Sequence, residues 1–369
     1  MNPSPSRRLL FGLGLCLAVA RPVVADAFQN GNLVVLQVGD GSAPLSSAAT
    51  AVSLLEYSTT GVLQQTLNLP SQSGTARLTQ AGSSTSEGYI SLSADGTSLA
   101  VVGYDAVAGT VGIASTTASL RNRVIDSVSF TGDIVRFAGS GSLLSGQNIR
   151  SGVIAGSDAW AVGSSAGAIV MTGSTPGSIY NGITSLRVAN VSNGNLTFST
   201  QSGTTTRGIY QFSGLPTASA MPSQVITTDS TSAPVDFSFS PDASVAYIAD
   251  ERASAGGGVQ KWVNLGGTWS LSYTLSAGSG RGARGLAVDF SGLNPTVFAT
   301  TTQNELIKIV DTGSSAAPTI LATAGANVAY RGLEFVPIPE PGETAAMTGA
   351  GLLALAALHR RWKRADRRD

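Results

Sequence analysis

The chain has only one cysteine and one histidine among its 369 residues. Cys16 lies in an apolar run near the N-terminus, and His359 lies close to the C-terminus. The long segment between them therefore has no disulfide, no cysteine nucleophile, and no histidine to serve as a general base or zinc ligand. These absences exclude many familiar hydrolase and metalloenzyme centres from the body of the protein.

Charged residues are also scarce, at 12% of the chain. Between Phe28 and Ile338 there are 17 acidic and 13 basic residues, a net charge of −4, and the bases form no patch. A nucleic-acid partner is therefore not expected. The 44 glycines, together with abundant serine and threonine, favour short strands joined by tight turns, so the sequence predicts an all-β fold.

The N-terminus has the three parts of a secretory signal peptide. Two arginines precede an apolar run over residues 9–20, and the small residues Ala25 and Ala27 follow it. The run has about a dozen residues, whereas a membrane span needs about 20, which favours a cleaved signal over a retained anchor. We predict a signal peptide over residues 1–27, with cleavage after Ala27 or, as the alternative, after Ala25.

The C-terminus combines a proline-rich triplet, an apolar run and a basic tail. Pro339, Glu340 and Pro341 come first, an uncharged run over residues 344–358 follows, and six bases lie in the last ten residues. Because basic residues stay on the cytoplasmic side of a membrane, the body before the run is predicted to lie outside. A plain tail anchor is the alternative to a processed segment.

This arrangement is similar to the PEP-CTERM sorting signal of Gram-negative bacteria, also called the ice-binding protein C-terminal motif. The resemblance covers about a tenth of the chain. It implies that residues 339–369 are an address and a temporary transmembrane anchor, which an exosortase-type enzyme cleaves near Pro339, Glu340 and Pro341. The expected destination is the cell surface or an extracellular matrix that contains polysaccharide.

Between the two ends, short apolar runs recur with turn residues between them. One kind of strand recurs at intervals of about 35 to 60 residues, the period of propeller blades. The six strands of this kind are Gly88–Leu92, Ile149–Ile154, Ile183–Val188, Val235–Phe239, Gly285–Phe290 and Gly332–Val336. Residues 28–338 are therefore predicted to form a β-propeller of about six four-stranded blades, each with one of these strands innermost.

The last inner strand is predicted to join strands from the start of the body, which would close the ring and bury the sheet edges. Asp-containing turns at Asp95 and Asp242 support the antiparallel pairing within blades. Seven blades are the alternative, since residues 133–147 read either as an irregular extra blade or as a long loop. A pair of β-sandwiches or a right-handed β-helix is the structural alternative.

Three arginines stand at the predicted starts of inner strands, each before a small residue. Arg150, Arg284 and Arg331 would then converge on one mouth of the channel. Guanidinium groups match carboxylates and phosphates bidentately, so the pattern predicts a site for an anion such as acidic polysaccharide. The alternative is that each arginine pairs with a nearby acid and seals neighbouring blades.

Carboxylates offer a second route to chemistry, because glycoside and ester hydrolysis need no histidine. Glu87, Asp250 and Glu251 are the catalytic candidates, against the alternative that Asp250 and Glu251 form an exposed acidic turn. The same acids, together with Asp40, Asp95 and Asp242, are candidates for a calcium site, although no spaced calcium-loop motif is present. No cofactor and no metal ligand set are assigned from the sequence.

Three tryptophans of the body, Trp160, Trp262 and Trp269, are candidates for stacking on sugars, with packing inside blades as the alternative.

Taken together, the sequence predicts an exported, non-enzymatic propeller that binds or organises other molecules at the cell surface. A secreted hydrolase of polysaccharide or phosphoester and a structural adhesin are the alternatives.

Overall fold

The computed structural model describes residues 26–72, 76–173 and 175–339. These residues form six four-stranded antiparallel sheets and one two-stranded sheet. In five of the large sheets the four strands follow one another along the chain, and the sixth combines the last strand with three early ones. The described part of the chain is a six-bladed β-propeller.

The strands, numbered in chain order, fall into the six sheets, which we call blades 1 to 6. Blade 1 contains β1 (Leu33–Val38), β3 (Val52–Tyr57), β4 (Leu63–Asn68) and β26 (Ala329–Phe335), and the small sheet beside it contains β2 (Ala49–Thr50) and β5 (Gln80–Ala81). Blade 2 contains β6 (Ser91–Leu92), β7 (Ser98–Tyr104), β8 (Arg123–Ser129) and β9 (Ile134–Ser140). Blade 3 contains β10 (Ile149–Ala155), β11 (Asp158–Gly163), β12 (Ala168–Val170) and β13 (Gly177–Tyr180).

The remaining blades follow the same order from the inner to the outer strand. Blade 4 contains β14 (Leu186–Ser192), β15 (Asn195–Thr200), β16 (Gly208–Gln211) and β17 (Ser223–Thr227). Blade 5 contains β18 (Pro234–Phe239), β19 (Val245–Asp250), β20 (Gly258–Leu265) and β21 (Thr268–Leu275). Blade 6 contains β22 (Ala283–Asp289), β23 (Thr296–Thr301), β24 (Glu305–Val310) and β25 (Thr319–Thr323). A short 3-10 helix, Ile113–Ser115, lies between β7 and β8.

Blade 1 closes the ring as the sequence predicted. The last strand, β26, pairs antiparallel with β1, so that Leu333 lies opposite Val35. The hydroxyl groups of Tyr57 and Tyr330 also share a hydrogen bond of 2.7 Å. Closure joins the last strand of the described chain to its first strands in one sheet, so the edge of β1 that faces the axis is covered by β26.

Burial decreases from the axis of the propeller towards its rim. The second strand of blade 1, β1, is buried along nearly its whole length, and the outer strand of blade 5, β21, is largely exposed. The second strands of blades 3 and 5, β11 and β19, are buried in the same way as β1, and they are mainly apolar because both of their faces pack against neighbouring blades. The apolar core is thus distributed between neighbouring blades.

Glycine allows the inner strands to approach each other closely. A Cβ atom on Gly332 would lie 2.6 Å from the carbonyl oxygen of Gly88, and one on Gly285 would lie 2.6 Å from that of Arg331. The Gly332 N–H donates to the Gly88 carbonyl at 2.9 Å. The small residue that follows each predicted arginine is therefore required, at these two positions, by the contact between blades.

All inner strands run in the same direction along the axis. Contacts near their starts, such as Tyr89 N–H to Arg150 carbonyl at 3.3 Å, lie on one face, which we call the front. Contacts beyond their ends, such as Ala94 N–H to Ile154 carbonyl at 2.8 Å, lie on the other face, the rear. The described chain also ends at the rear, where the Ile338 N–H donates to the carbonyl oxygen of Gly96 at 2.8 Å.

Three expectations about the fold are corrected. Residues 133–147 form neither an extra blade nor only a loop, because β9 occupies residues 134–140 and is the outer strand of blade 2. The described residues form six blades, so the seven-bladed, sandwich and β-helix alternatives are wrong. The inner strand of blade 4 begins at Leu186, three residues later than predicted.

Candidate functional site

Five inner strands carry a β-bulge at the same height near their starts. The pairing of β10 with β11, for example, moves from Ile149 opposite Gly163 to Ser151 opposite Val162, which leaves Arg150 as the extra residue. The strands β14, β18, β22 and β26 have the same irregularity. Bulges redirect side chains at functional sites, and here they set the direction of the residues at the front of the channel.

Four of these five bulges contain an arginine. These are Arg150 in blade 3, Arg187 in blade 4, Arg284 in blade 6 and Arg331 in blade 1, and we call this set the arginine mouth. The fifth bulge, in blade 5, contains Val235 and Asp236 in the corresponding places. Three of the four arginines were predicted from the sequence, and Arg187 was missed.

Two members of the arginine mouth share one carboxylate, that of Glu251. The Arg284 Nε lies 3.3 Å from Glu251 Oε2, and an Arg187 nitrogen lies 3.5 Å from Oε1. Gln201 completes the group, because its amide donates to Glu251 Oε1 at 2.9 Å and its carbonyl oxygen accepts from Arg187. The Glu251 side chain is 18% exposed, so this side of the mouth is open to solvent.

The other two arginines are buried and lack a carboxylate. Arg150 and Arg331 are 9% and 3% exposed, and neither has an acidic oxygen within 4.0 Å in the described part of the chain. Arg150 donates to the carbonyl oxygen of Leu186 at 3.0 Å, and Arg331 donates to that of Ser84 at 3.1 Å. The expected pairing with acids thus holds for Arg284 alone among the three predicted arginines.

Burial disfavours the charged form of these two arginines. It lowers the pKa of Arg150 to about 10, with the nearby Arg187 as the next cause, and lowers the pKa of Arg331 to about 10, with Arg284 as the next cause. The Nε atoms of Arg150 and Arg187 are buried without a hydrogen-bond partner among the described residues. The arginine mouth therefore has unused donors and more positive charge than its surroundings neutralise.

Tyr89 closes the channel beneath the arginine mouth. Its ring is fully buried and belongs to a cluster with Val188 of blade 4 and Val235 of blade 5, so the side chain crosses the channel from blade 2. The hydroxyl donates to the Thr85 carbonyl at 3.1 Å. Burial, followed by the charge of Glu251, raises the pKa of Tyr89 to about 12. We call the space among the four arginines the recess, and the Tyr89 phenol lies next to it.

Glu87 is a buried structural acid beside the mouth. It is 1% exposed and accepts hydrogen bonds from the Ala81 N–H at 3.0 Å, the Tyr104 hydroxyl at 2.9 Å and the Asn148 amide. Burial raises its pKa above the usual range for a glutamate, although these donors oppose the shift. Both carboxylate oxygens of Glu87 already accept hydrogen bonds from the protein. The side chain is therefore better suited to fixing the loop before β6 than to reacting with a ligand.

Asp250 is also internal, at the end of β19. It is 0% exposed and accepts hydrogen bonds from Ser232, Gln260 and the Ala233 N–H while it pairs with Arg252 at 2.7 Å. The expectation of an exposed acidic turn is therefore wrong for Asp250. The two neighbouring carboxylates therefore have different environments. Asp250 accepts hydrogen bonds in the interior of blade 5, and Glu251 faces the arginine mouth.

The structure does not gather the acids that were considered for calcium. Asp95 and Asp242 lie in separate rear-face turns, and each accepts from a serine hydroxyl of its own turn at 2.6 Å. Asp40 likewise accepts from the Ser42 hydroxyl at 2.6 Å. Among the residues described, no group of three or more His, Cys, Asp or Glu side chains is placed to hold a metal ion.

The tryptophans differ in their environment. Trp160 is 1% exposed, and its indole N–H donates to the Pro216 carbonyl at 2.7 Å, so it packs inside the protein. Trp262 is also buried, and its indole N–H donates to the side-chain oxygen of Gln260 at 3.0 Å. Trp269 remains partly exposed on the outer strand of blade 5.

The targeting predictions fall mostly outside the described residues. Ala25, Glu340, Pro341 and residues 344–358 are not among them, whereas Ala27 and Pro339 stand at the two ends of the described chain. Within residues 26–72, 76–173 and 175–339, no helix has the length and apolar character needed to cross a membrane.

Comparison with known proteins gives likenesses of fold. No family model matches the chain, and no curated protein matches it in sequence. A periplasmic gluconolactonase of Pseudomonas aeruginosa is 15% identical, with a TM-score of 0.45, over 78% of this chain and 82% of that chain. The β-propeller domain of Cps50 (Swd1) of Myceliophteria thermophila is 8% identical, with a TM-score of 0.43, over 85% and 93% of the two chains.

A gluconolactonase of Xanthomonas campestris is 12% identical, with a TM-score of 0.38, over 70% of this chain and 88% of that chain. The three similar structures are two gluconolactonases and the Cps50 (Swd1) domain, so the likeness extends to proteins with different names. At these identities and TM-scores they support no statement about what this chain binds or converts.

Proposed function

We propose that this protein is an exported β-propeller that binds an anionic ligand through the arginine mouth, without catalysis. The observation that carries the proposal is the charge balance there. Four guanidinium groups surround the recess, and one carboxylate, that of Glu251, forms ion pairs with two of them. Even if Glu87 and the fifth-bulge residue Asp236 are both counted as ionised, the four arginines keep an excess of one positive charge over the three carboxylates. A ligand with carboxylate or phosphate groups would neutralise this excess and fill the planar donor sets.

The position of the recess supports a large ligand. The partly exposed side of the mouth, at Glu251, Arg187 and Arg284, opens to solvent, and the buried side holds Arg150 and Arg331 behind it. One acidic group of a polymer can enter while the chain continues outside. Acidic polysaccharide fits this requirement, because it offers repeated carboxylates on a polar backbone.

The proposed location follows from the two ends of the sequence. The resemblance to a PEP-CTERM signal supports export, brief membrane attachment through residues 344–358 and cleavage by an exosortase-type enzyme near Pro339, Glu340 and Pro341. The protein would then reside at the cell surface or in the extracellular matrix of a Gram-negative bacterium. Acidic polysaccharide is a ligand that such a location supplies.

The test is the double substitution Arg187→Gln and Arg284→Gln in the propeller body, residues 26–339. Both side chains are partly exposed, so the fold is expected to survive. Binding to polygalacturonate, measured by isothermal titration calorimetry, should weaken by about tenfold or more, because charge-assisted hydrogen bonds are lost. The salt dependence of binding should decrease with it.

Arg121→Gln is the matched control, since Arg121 is an exposed arginine between β7 and β8, outside the arginine mouth. It removes the same charge and should leave the affinity unchanged. Equal affinity of the double variant and the wild type would contradict the proposal, as would a failure of the wild type to bind either polygalacturonate or a phosphorylated glycan. Absence of both binding and turnover would favour the display-only adhesin.

Hydrolysis of a polysaccharide or phosphoester is the second candidate, and the position of Glu251 favours it. Its carboxylate is partly exposed and lies between two arginines that could hold a substrate anion. The substrates to test are a chromogenic glycoside, a phosphoester and gluconolactone.

Glu251→Gln separates the two functions. In the binding protein, the substitution removes a carboxylate that competes with the ligand, so affinity for polygalacturonate should stay equal or increase. Neither the wild type nor the variant should then turn over any of the three substrates. Turnover by the wild type that is lost in Glu251→Gln would establish the hydrolase instead.

A further inference from the structure

A second cavity lies between blades 4 and 5, at the rear of the propeller. It has a volume of about 230 Å³ and contains Trp269 and Phe239 together with the amide side chains of Asn193, Gln211 and Asn264. Phe239 ends the inner strand β18, and Asn193 lies in the turn between β14 and β15, both of which are rear-face positions. We call this cavity the Trp269 cleft. It shares no residue with the arginine mouth.

One wall of the Trp269 cleft is aromatic. The rings of Trp269 and Phe239 meet edge to face, with 5.4 Å between centroids and an angle of 72°. This contact holds the indole in one orientation while part of it stays exposed. The indole N–H of Trp269 has no hydrogen-bond partner among the described residues, in contrast to those of Trp160 and Trp262.

The other walls carry amides with hydrogen-bonding capacity left over. Asn264 is fixed by the Gly267 N–H, which donates to its oxygen at 2.9 Å, and its amide donates one bond to the Ala243 carbonyl at 3.3 Å. The Gln211 amide donates to the Thr197 hydroxyl at 3.1 Å and to the Ser192 carbonyl at 3.4 Å, and its side-chain carbonyl oxygen has no donor among the described residues. A held amide with a free donor or acceptor is ready to bind a hydroxyl group.

The residues lining the cleft in the described structure include no charged side chain. An anion or cation that entered would lose hydration with no opposite charge to replace it. An aromatic face beside several amides suits a molecule with an apolar face and many hydroxyl groups. Sugars have this character, since their C–H groups form an apolar face and their hydroxyls surround it.

We propose that the Trp269 cleft binds a neutral sugar unit of a glycan, with the C–H face of the ring on Trp269 and hydroxyl groups on Asn193, Gln211 and Asn264. The cavity volume admits one such unit and leaves the rest of the glycan outside. This site is independent of the arginine mouth, because the two lie on opposite faces and differ in charge.

The proposal is tested by the binding of neutral tetrasaccharides of glucose, mannose and galactose to residues 26–339, measured by tryptophan fluorescence and calorimetry. At least one of them should bind the wild type and shift the emission of Trp269. Trp269→Ala should weaken that binding by about tenfold or more. Gln211→Ala, which leaves the aromatic wall in place, should weaken it to a smaller degree.

Leu271→Ala is the matched control, because Leu271 is an exposed apolar residue on the same strand as Trp269. It should bind as the wild type does, and so should the double variant Arg187→Gln and Arg284→Gln. Three outcomes overturn the proposal: no tetrasaccharide binds, Trp269→Ala binds normally, or Leu271→Ala loses as much affinity as Trp269→Ala. None of these outcomes affects the proposed binding of anions, which has its own variants.

Discussion

Asp250→Ala is expected to destabilise the propeller by about 3 to 5 kcal/mol, the usual cost of removing one partner of a buried ion pair. Asp250 is 0% exposed and lies 2.7 Å from an Arg252 nitrogen. It also accepts from the Ser232 hydroxyl at 2.5 Å and from the Gln260 amide at 3.0 Å. The substitution removes the acceptor that these three donors share in the interior of blade 5, and among the described residues only Arg252 and Gln260 keep another acceptor, Asp229 and the Ser232 hydroxyl. Urea unfolding followed by circular dichroism measures the loss.

Asp229→Ala is the matched control for that experiment. Asp229 pairs with the same arginine, at 3.2 Å, but its side chain is 53% exposed. An exposed ion pair contributes little, so this variant should lose less than about 1 kcal/mol. A similar loss in both variants would contradict a structural role for Asp250, and a stable Asp250→Ala variant would return Asp250 to the catalytic candidates.

The stability of the propeller is expected to fall between acidic and neutral pH because of Glu334, and Glu334→Gln should remove that part of the fall. Burial raises the pKa of Glu334 to about 7 from an ordinary value of 4.5. The folded protein therefore favours the protonated carboxyl. Its contribution to stability is complete below about pH 4.5 and is lost as the pH rises through about 7.

Glutamine resembles the protonated acid at every pH. At pH 8, Glu334→Gln should therefore be more stable than the wild type by about 2 to 3 kcal/mol, and at pH 4 the two should be nearly equal. Asp236, a buried acid whose pKa is also raised by burial and then by Glu334, adds to the pH dependence that remains. Denaturant unfolding at pH 4, 6 and 8 measures the difference.

Glu305→Gln provides a control of opposite sign. The hydrogen bond from Arg281, 2.5 Å from the carboxylate, lowers the pKa of Glu305, so the ionised form is the favoured one in the folded protein. This substitution should destabilise the propeller at pH 8 and have less effect as the pH falls through the range where Glu305 is protonated. Equal responses of Glu334→Gln and Glu305→Gln would rule out a protonated Glu334.

The blade pattern was predictable from the sequence because the turns repeat in chemistry. Ser93 donates to Asp95 and then accepts from the Ser98 N–H at 3.0 Å. Ser240 and Asp242 make the same two bonds in blade 5, where the Val245 N–H is the donor to Ser240 at 3.0 Å. A local hydrogen-bond pattern of this kind depends on five or six neighbouring residues, so it can be recognised without knowledge of the tertiary structure.

The site was predictable only in part, since its membership depends on bulges. Arg187 was missed because the inner strand of blade 4 was placed too early and because Val188, not a small residue, follows the arginine. The small residue reflects contact between neighbouring strands, as at Gly332, and it is not needed for the direction of the arginine itself. The bulge that sets this direction leaves no mark in composition or periodicity.

The different fates of Asp250 and Glu251 were not predictable for a related reason. In a strand, adjacent side chains point to opposite sides, but the last residue of β19 and the first residue of the loop after it follow no fixed rule. Gln201, Arg187 and Arg284 come from three separate blade segments to surround Glu251. Such convergence is a property of the closed ring and not of any one segment.

The described chain leaves the propeller from the rear, since Ile338 contacts the carbonyl of Gly96 just before Pro339. A membrane anchor attached at that point would hold the propeller by its rear face. If the proposed membrane anchor follows Pro339, the four arginines would point away from the membrane and the Trp269 cleft would face it. A propeller with an anion site on its front and a neutral-sugar site on its rear would be suited to linking two layers of a cell envelope.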